Sequence, residues 1–176
     1  MDALVRSSDP RTAARAAKAL AGLLPPTREA VARTYAGSAD MAGDAAKGRT
    51  ICEQRCLICH QAEGKGKAVG PDLVTVKTRG RAGILDAIVN PNREVAAQYA
   101  TFEVRTKDGG THAGIIVDDN ATALTLRMPG GAESSLPRAE IAGTSSTGRS
   151  LMPEGLEAGL SPQDMADLLT FIETLK

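Results

Sequence analysis

The chain contains no tryptophan, and its only large rings are Tyr35, Tyr99, Phe102 and Phe171. Large rings normally supply much of a core's volume, so a chain of 176 residues must fill its interior in another way. A bulky flat cofactor would do so; an alanine-rich helical core is the plainer alternative. Net charge is missing too, because 21 basic and 21 acidic residues cancel. No overall field therefore argues for nucleic acid or an anionic membrane as a partner. No apolar run approaches the roughly 20 residues that cross a bilayer. Histidine is limited to His60 and His112, and cysteine to Cys52, Cys56 and Cys59.

Four of these five residues fall within one short stretch, ICEQRCLICHQ, residues 51–61. Read from Cys52 the spacing is C-x3-C-x2-C, which radical-SAM enzymes use to hold an iron–sulfur cluster. Read from Cys56 it is C-x-x-C-H, in which two thiols attach a haem and the histidine binds its iron. A radical-SAM fold needs a series of βα units, and nothing after Cys59 alternates in that way. A tetrahedral zinc site would need a second, distant pair of ligands. A thioredoxin-like C-x-x-C would need a βαβ setting. The haem reading is the one whose remaining demands the rest of the chain can meet.

Asp9-Pro10 reads as an N-cap and first helical residue, opening an Ala/Leu-rich helix that runs to Leu24 and stops at Pro25-Pro26. Thr27 caps a second short helix with Val31 and Tyr35 on one face. Residues 1–40 are thus expected to form a helical hairpin, the severed end of a helical-repeat region. Asp44 caps the helix AAKGRTICEQR, which runs into the cysteine motif. A glycine-rich loop follows to Gly80, and then RAGILDAIVN, a short helix closed by Asn90-Pro91. Next, YATFEVRT, THAGIIVD, ATALTLRM and AESSLP read as a meander of three or four strands joined by tight turns. GTSSTGRS, residues 143–150, is expected to be a mobile loop. Ser161-Pro162-Gln163-Asp164 is a variant capping box ahead of the apolar stripe Met165, Leu168, Leu169 and Ile172.

A haem iron bound by His60 requires that imidazole to hold one orientation, usually by donating its other ring N–H to a carbonyl. Gly70-Pro71-Asp72-Leu73 places a rigid proline on a loop ten residues downstream, and the Pro71 carbonyl is the expected acceptor; an ordinary turn is the plain alternative. The sixth ligand must be soft or an imidazole. Met165 lies in the apolar stripe of the last helix, and Met128 continues the period-two pattern of Leu124 and Leu126. Met41 packs beside the motif helix, and His112 follows a hairpin turn. Met152 alone sits outside regular structure, stiffened by Pro153, and is the expected ligand.

In this order the parts resemble a class I c-type cytochrome, and more narrowly the Planctomycete/Verrucomicrobium-type haem-binding domain of membrane-bound-dehydrogenase-like proteins. The stretches that carry the resemblance are GDAAKGRTICEQRCLICH, VGPDL, AIVNPNREV with QY, TFEVRTKDGGTHAGIIVDD, and SLMPEGL with AGLSPQDMADLLTFI. It implies one haem c attached through Cys56 and Cys59, with His60 and Met152 as axial ligands. The implied fold is mainly α with a β insertion. A class I helical core (41–98 and 150–176) surrounds the haem, and a small antiparallel meander (99–149) is inserted before the Met-ligand loop. Pro71, Leu73 and Leu85 are expected to contact the cofactor, and Arg79 or Arg81 to pair a propionate or lie on the rim with Lys65 and Lys67. Cys52 departs from the family's bulky apolar residue at that position. It is expected to abut the haem as a small hydrophobe; an interchain disulfide or competition for haem attachment are the sharper alternatives.

An iron with both axial positions filled suits electron transfer rather than substrate activation, and a thioether raises its potential. The expected role is therefore periplasmic electron transfer, from a dehydrogenase domain as donor to another carrier as acceptor, and not enzymatic catalysis. The amino terminus, MDALVRSSDP, has neither the basic start nor the apolar stretch of an export signal. The haem reading thus expects a piece of a longer exported protein. A second reading rests on a loose tether: if GTSSTGRS lets Met152 leave the iron, carbon monoxide or nitric oxide can bind, and the module senses gases or acts as a weak peroxidase. The inserted sheet is expected to be a lid over the haem, with a docking surface or homodimer contact as the alternative.

Overall fold

The computed structural model describes residues 8–19 and 26–176. Helix α1 (Pro10–Ala19) starts where the Asp9 carboxylate accepts the Arg11 and Thr12 amides, each at 3.2 Å. The expected end of that helix, at Leu24-Pro25, lies outside the described residues. Helix α2 (Arg28–Tyr35) is capped by Thr27, whose hydroxyl accepts the Ala30 amide. Helix α3 (Ala45–Arg55) is capped by Asp44, and a single turn, α4 (Leu73–Val76), by Asp72. Helix α5 (Gly80–Val89) follows a 3-10 turn over Lys77–Arg79, and α6 (Pro162–Thr174) begins with the full Ser161/Asp164 capping box. Among the described residues no helix is long and apolar enough to cross a membrane.

The helical core is built where α3 crosses α6. A Cβ on Gly48 would lie 2.0 Å from Asp167 O and 2.8 Å from the Phe171 Cβ, so only glycine permits the two backbones to come this close. Cys52, Met165, Leu169 and Ile172 fill the crossing, and Ile84, Leu85 and Val89 cover it from α5. Burial at this density is what holds short helices that would be marginal alone. Val31 and Tyr35 of α2 belong to the same core. Residues 28–40 therefore pack into the helical core rather than standing apart from it. The reason is visible in Tyr35, whose hydroxyl donates to Leu160 O at 2.6 Å and lies 3.0 Å from Glu157 O across the domain.

A two-residue hairpin, β1 (Gln61–Ala62) and β2 (Lys65–Gly66), follows the cysteine motif. Its turn places Glu63 and Gly64 at positive φ, 51° and 74°, as a primed turn requires. The larger sheet has five strands: β3 (Ala100–Thr106), β4 (Thr111–Asp119), β5 (Ala123–Arg127), β6 (Glu133–Pro137) and β7 (Ile141–Ser150). Their order is β6-β5-β4-β3-β7 and every pairing is antiparallel. One face carries its own small core of Val104, Leu124, Leu126 and Leu136, flanked by Ile116 and Ile141.

Strand β7 corrects the sequence reading in two ways. The meander has a fifth strand, and GTSSTGRS supplies its last eight residues, paired with β3 from Gly143 opposite Arg105 to Ser146 opposite Phe102 and, after a bulge, at Ser150 opposite Ala100. The segment is not a loose loop. It escaped pattern analysis because β7 is an edge strand with most of its second half exposed on both faces, so no apolar alternation marks it.

Candidate haem site

Cys56 ends α3, with its amide donating to Cys52 O at 2.8 Å. Two further tight turns follow: the Cys59 and His60 amides both donate to Cys56 O, at 3.0 and 2.9 Å. The glycine-rich loop then folds back on the motif. Val69 and Gly70 donate their amides to Cys59 O at 3.0 and 2.7 Å, and Lys67 donates to Leu57 O at 3.1 Å. This return brings Pro71 alongside His60, with Nδ1 at 2.7 Å from Pro71 O. A carbonyl only accepts, so Nδ1 carries the proton and Nε2 keeps its lone pair for a metal. Burial lowers the His60 pKa below the ordinary imidazole value, and the Pro71 bond opposes that only in part. The shift favours the neutral ring, the form that ligates.

Gly70 completes the seat. A Cβ there would lie 2.5 Å from His60 Cε1, 2.9 Å from Nδ1 and 3.1 Å from Nε2. The imidazole face rests on bare backbone, which a side chain of any size would displace.

These groups open on a cavity of ≈ 650 Å³, within the roughly 300–1,000 Å³ typical of sites for compact organic ligands. Cys56, Cys59 and His60 line it from the motif, and Pro71 and Leu73 from the loop that follows. Leu151, Met152 and Pro153 line it from the segment between β7 and α6. Ile115 and Pro129 bring the inserted sheet to its edge, so the sheet forms part of the wall. Arg127 fixes that docking by donating from Nη1 to Ala68 O at 2.7 Å. The lining is mainly apolar, with two thiols, one imidazole nitrogen and one thioether as its soft donors. That donor set fits a covalently attached haem and supplies no oxygen-rich cage for a hard cation.

Several expected contacts lie elsewhere. Arg81 is not on the rim. Its guanidinium is turned into the helical domain, donating to Ala39 O and Met41 O, each at 2.7 Å, and to Thr170 Oγ1 and Glu173, each at 2.9 Å. Leu85 is buried on the core side of α5 and does not line the cavity. Cys52 does not either. It is fully buried at the α3–α6 crossing, one helical turn before Cys56. The hydrogen bond that the Cys56 thiol gives to Cys52, with burial, holds that thiol well above the ordinary range. Among the described residues no three His, Cys, Asp or Glu side chains converge to hold a metal ion. The three thiols therefore do not form a cluster cradle.

Arg79 does line the cavity and pairs with Glu94 at 3.2 Å. Lys65 pairs with Glu53 at 3.3 Å, away from the lining, and Lys67 lies beside Gly131 in the turn between β5 and β6. Sequence reasoning missed Tyr99, Ile115 and Arg55. Tyr99 carried a signal, being one of few rings in the chain. Ile115 carried none, since its role depends on how the sheet docks. Arg55 donates from Nη1 to Leu156 O at 2.7 Å and Ala158 O at 2.8 Å, tying the motif helix to the segment after Met152.

No curated protein matches the chain. A protein-family model does match part of it, beginning at the first residue of α3 and ending within β5, so that Met152 and α6 lie outside the matched stretch. Residues 45–126 match the family model described as Cytochrome c, and the cofactor of that domain is haem c, bound covalently through cysteines.

Proposed function

We propose that the chain is an electron-transfer domain of class I c-type. One haem c is attached through Cys56 and Cys59, with His60 and Met152 as its axial ligands. The observation that carries this reading is the pairing of an oriented imidazole with a loop thioether on one apolar cavity: Nδ1 is committed to Pro71 O at 2.7 Å, and Met152 lines the same space. When bound, the haem supplies a one-electron iron couple whose potential is raised by thioether ligation and burial. The protein's part is to hold two soft ligands still and to keep water away. Pro71 and Gly70 orient His60. Arg55 ties the segment after Met152 to the motif helix, and Tyr35 holds Leu160 beyond it. Leu73, Ile115 and Pro129 exclude solvent, which favours the lid reading of residues 99–149 over a dimer contact. Arg79 is the propionate partner of this reading.

The finer assignment is to the Planctomycete/Verrucomicrobium-type domain, exported to the periplasm, drawing electrons from a dehydrogenase domain and passing them to another carrier. It is supported by the stretches quoted above and by the β insertion. The gas-sensing alternative required a loose tether to Met152, and that tether is strand β7.

The test is a pyridine haemochrome spectrum of protein matured in a haem-attaching host, followed by the Met152→Ala variant. Wild type should show the far-red sulfur-to-iron band and no carbon monoxide binding to the ferrous form. The variant should lose the band, bind carbon monoxide and shift its midpoint potential downward. An unchanged spectrum and potential in Met152→Ala would refute the proposed ligation.

A further inference from the structure

The stretch AIVNPNREV has an unassigned polar side chain at Asn92. The turn after α5 is anchored on Asp86, which accepts from Asn90 Nδ2 at 2.8 Å and Arg93 Nη1 at 3.0 Å, and on buried Pro91. From that turn Asn92 reaches the chain on both sides of Met152. Its Oδ1 accepts the Ser150 amide at 3.0 Å, and its Nδ2 donates to Glu154 Oε1 at 2.7 Å. Ser150 passes the restraint on, because its Oγ accepts the Met152 amide at 3.1 Å. Each end of the Asn92 amide thus meets a partner of the right kind, which fixes its orientation. The other neighbour of Glu154 is Arg149, 3.7 Å away and largely exposed.

We propose that Asn92 is a positioning residue for Met152: by bridging Ser150 and Glu154 across the methionine, it sets how tightly the thioether is held at the cavity. This inference rests on Met152 being an axial ligand. A ligand tied only at a distance can swing away, and the fraction of molecules with the sulfur off the iron sets the apparent affinity for any competing ligand. Two hydrogen bonds of ordinary net strength, one partly buried, correspond to about a tenfold change in that fraction.

The test uses haem-loaded protein and carbon monoxide as the competing ligand, with Met152→Ala as reference. Asn92→Ala should weaken the far-red sulfur band and raise apparent carbon monoxide affinity about tenfold, while the thermal midpoint falls only slightly. Asn92→Asp keeps the acceptor for the Ser150 amide but sets a second carboxylate against Glu154, so it should loosen the ligand as well. Adding Glu154→Gln to Asn92→Asp reverses the polarity of that bond, with the amide at 154 donating to the carboxylate at 92, and should restore wild-type carbon monoxide behaviour. If Met152→Ala changes the spectrum but Asn92→Ala leaves the band and carbon monoxide affinity unchanged, the positioning role is overturned. A double variant that remains as loose as Asn92→Asp overturns it equally. If Met152→Ala itself changes nothing, it is the ligand assignment that fails.

Discussion

Replacing Gly70 with alanine adds one methyl group, and the structure says where it must go. It would lie against three atoms of the His60 ring, at 2.5, 2.9 and 3.1 Å from Cε1, Nδ1 and Nε2. Real Cβ atoms do not come so near, so the ring or the loop must shift. The ring has little freedom, being tied to Pro71 O at 2.7 Å on one nitrogen and assigned to the iron on the other. Gly70 is not among the residues at positive φ, so alanine fits its backbone and the effect is steric alone. Overpacking of this kind costs about 1–3 kcal/mol, and breaking the Pro71 bond would add about 0.5–1.5 kcal/mol. The total, roughly 1.5–4.5 kcal/mol, is about one to three powers of ten in the folding equilibrium. Gly64→Ala is the matched control. Its φ is +74° with no atom within 4 Å of the new Cβ, so it costs about 1–2 kcal/mol in backbone strain and touches nothing. Guanidinium unfolding should find both variants destabilised, while the visible spectrum and midpoint potential should move only in Gly70→Ala. Wild-type stability and spectrum in Gly70→Ala, or an equal spectral change in Gly64→Ala, would refute the steric argument.

Tyr35→Phe removes the hydroxyl that bonds Leu160 O in the interior and should lower stability by about 1–2 kcal/mol, read from the denaturant midpoint. Hydrogen exchange should find the β3-facing amides of residues 143–146 protected at the level of a strand, whereas a mobile loop there would exchange at once. The pH dependence of α6 follows from Asp164, whose carboxyl is held below its ordinary 3.8 by the Ser161 hydroxyl and then the Ser161 amide. A depressed folded value means stabilisation present above pH 3.8 and lost as pH falls through the lowered value. The advantage of wild type over Asp164→Asn in thermal melts should therefore fade on acidification below that point.

Much of the helical framework was legible because its signals are local. Ser161, Pro162 and Asp164 lie within one turn, and the apolar stripe after them repeats at helical spacing. The neighbourhood of His60 and Pro71 could be reasoned for a similar reason, since a short glycine-rich loop has few ways to return. What sequence could not disclose are pairings between distant segments. Arg81 looked like a rim charge because nothing near it in the chain reveals Thr170 and Glu173 as its partners. Cys52 looked like a haem contact because positions four apart share a helix face. The two thiols do lie on one face, within hydrogen-bond reach, but Cys52 is enclosed by the core and only Cys56 extends to the cavity. Strand β7 was missed because an edge exposed on both faces has no reason to alternate.

The insertion raises a physical difficulty that its own topology resolves. A long flexible segment between the two assigned ligands would add closure entropy and let Met152 wander. The sheet avoids this because its first and last residues share a rung: Ala100 at the start of β3 is paired with Ser150 at the end of β7. Paired residues in an antiparallel ladder lie only about 4.5–5.5 Å apart. To the helical domain the whole sheet therefore behaves as a short, closed connection from Tyr99 to Leu151. Folding of the sheet about Val104, Leu124, Leu126 and Leu136 is then what fixes the position from which Met152 is presented. Unfolding the sheet should release the methionine even with every helix intact. Leu126→Ala, which opens a cavity in that core at a cost of about 2–5 kcal/mol, should accordingly raise carbon monoxide binding at temperatures where helical circular dichroism is unchanged. Loss of both signals together would show that sheet and helices unfold as one unit, and would refute this division of labour.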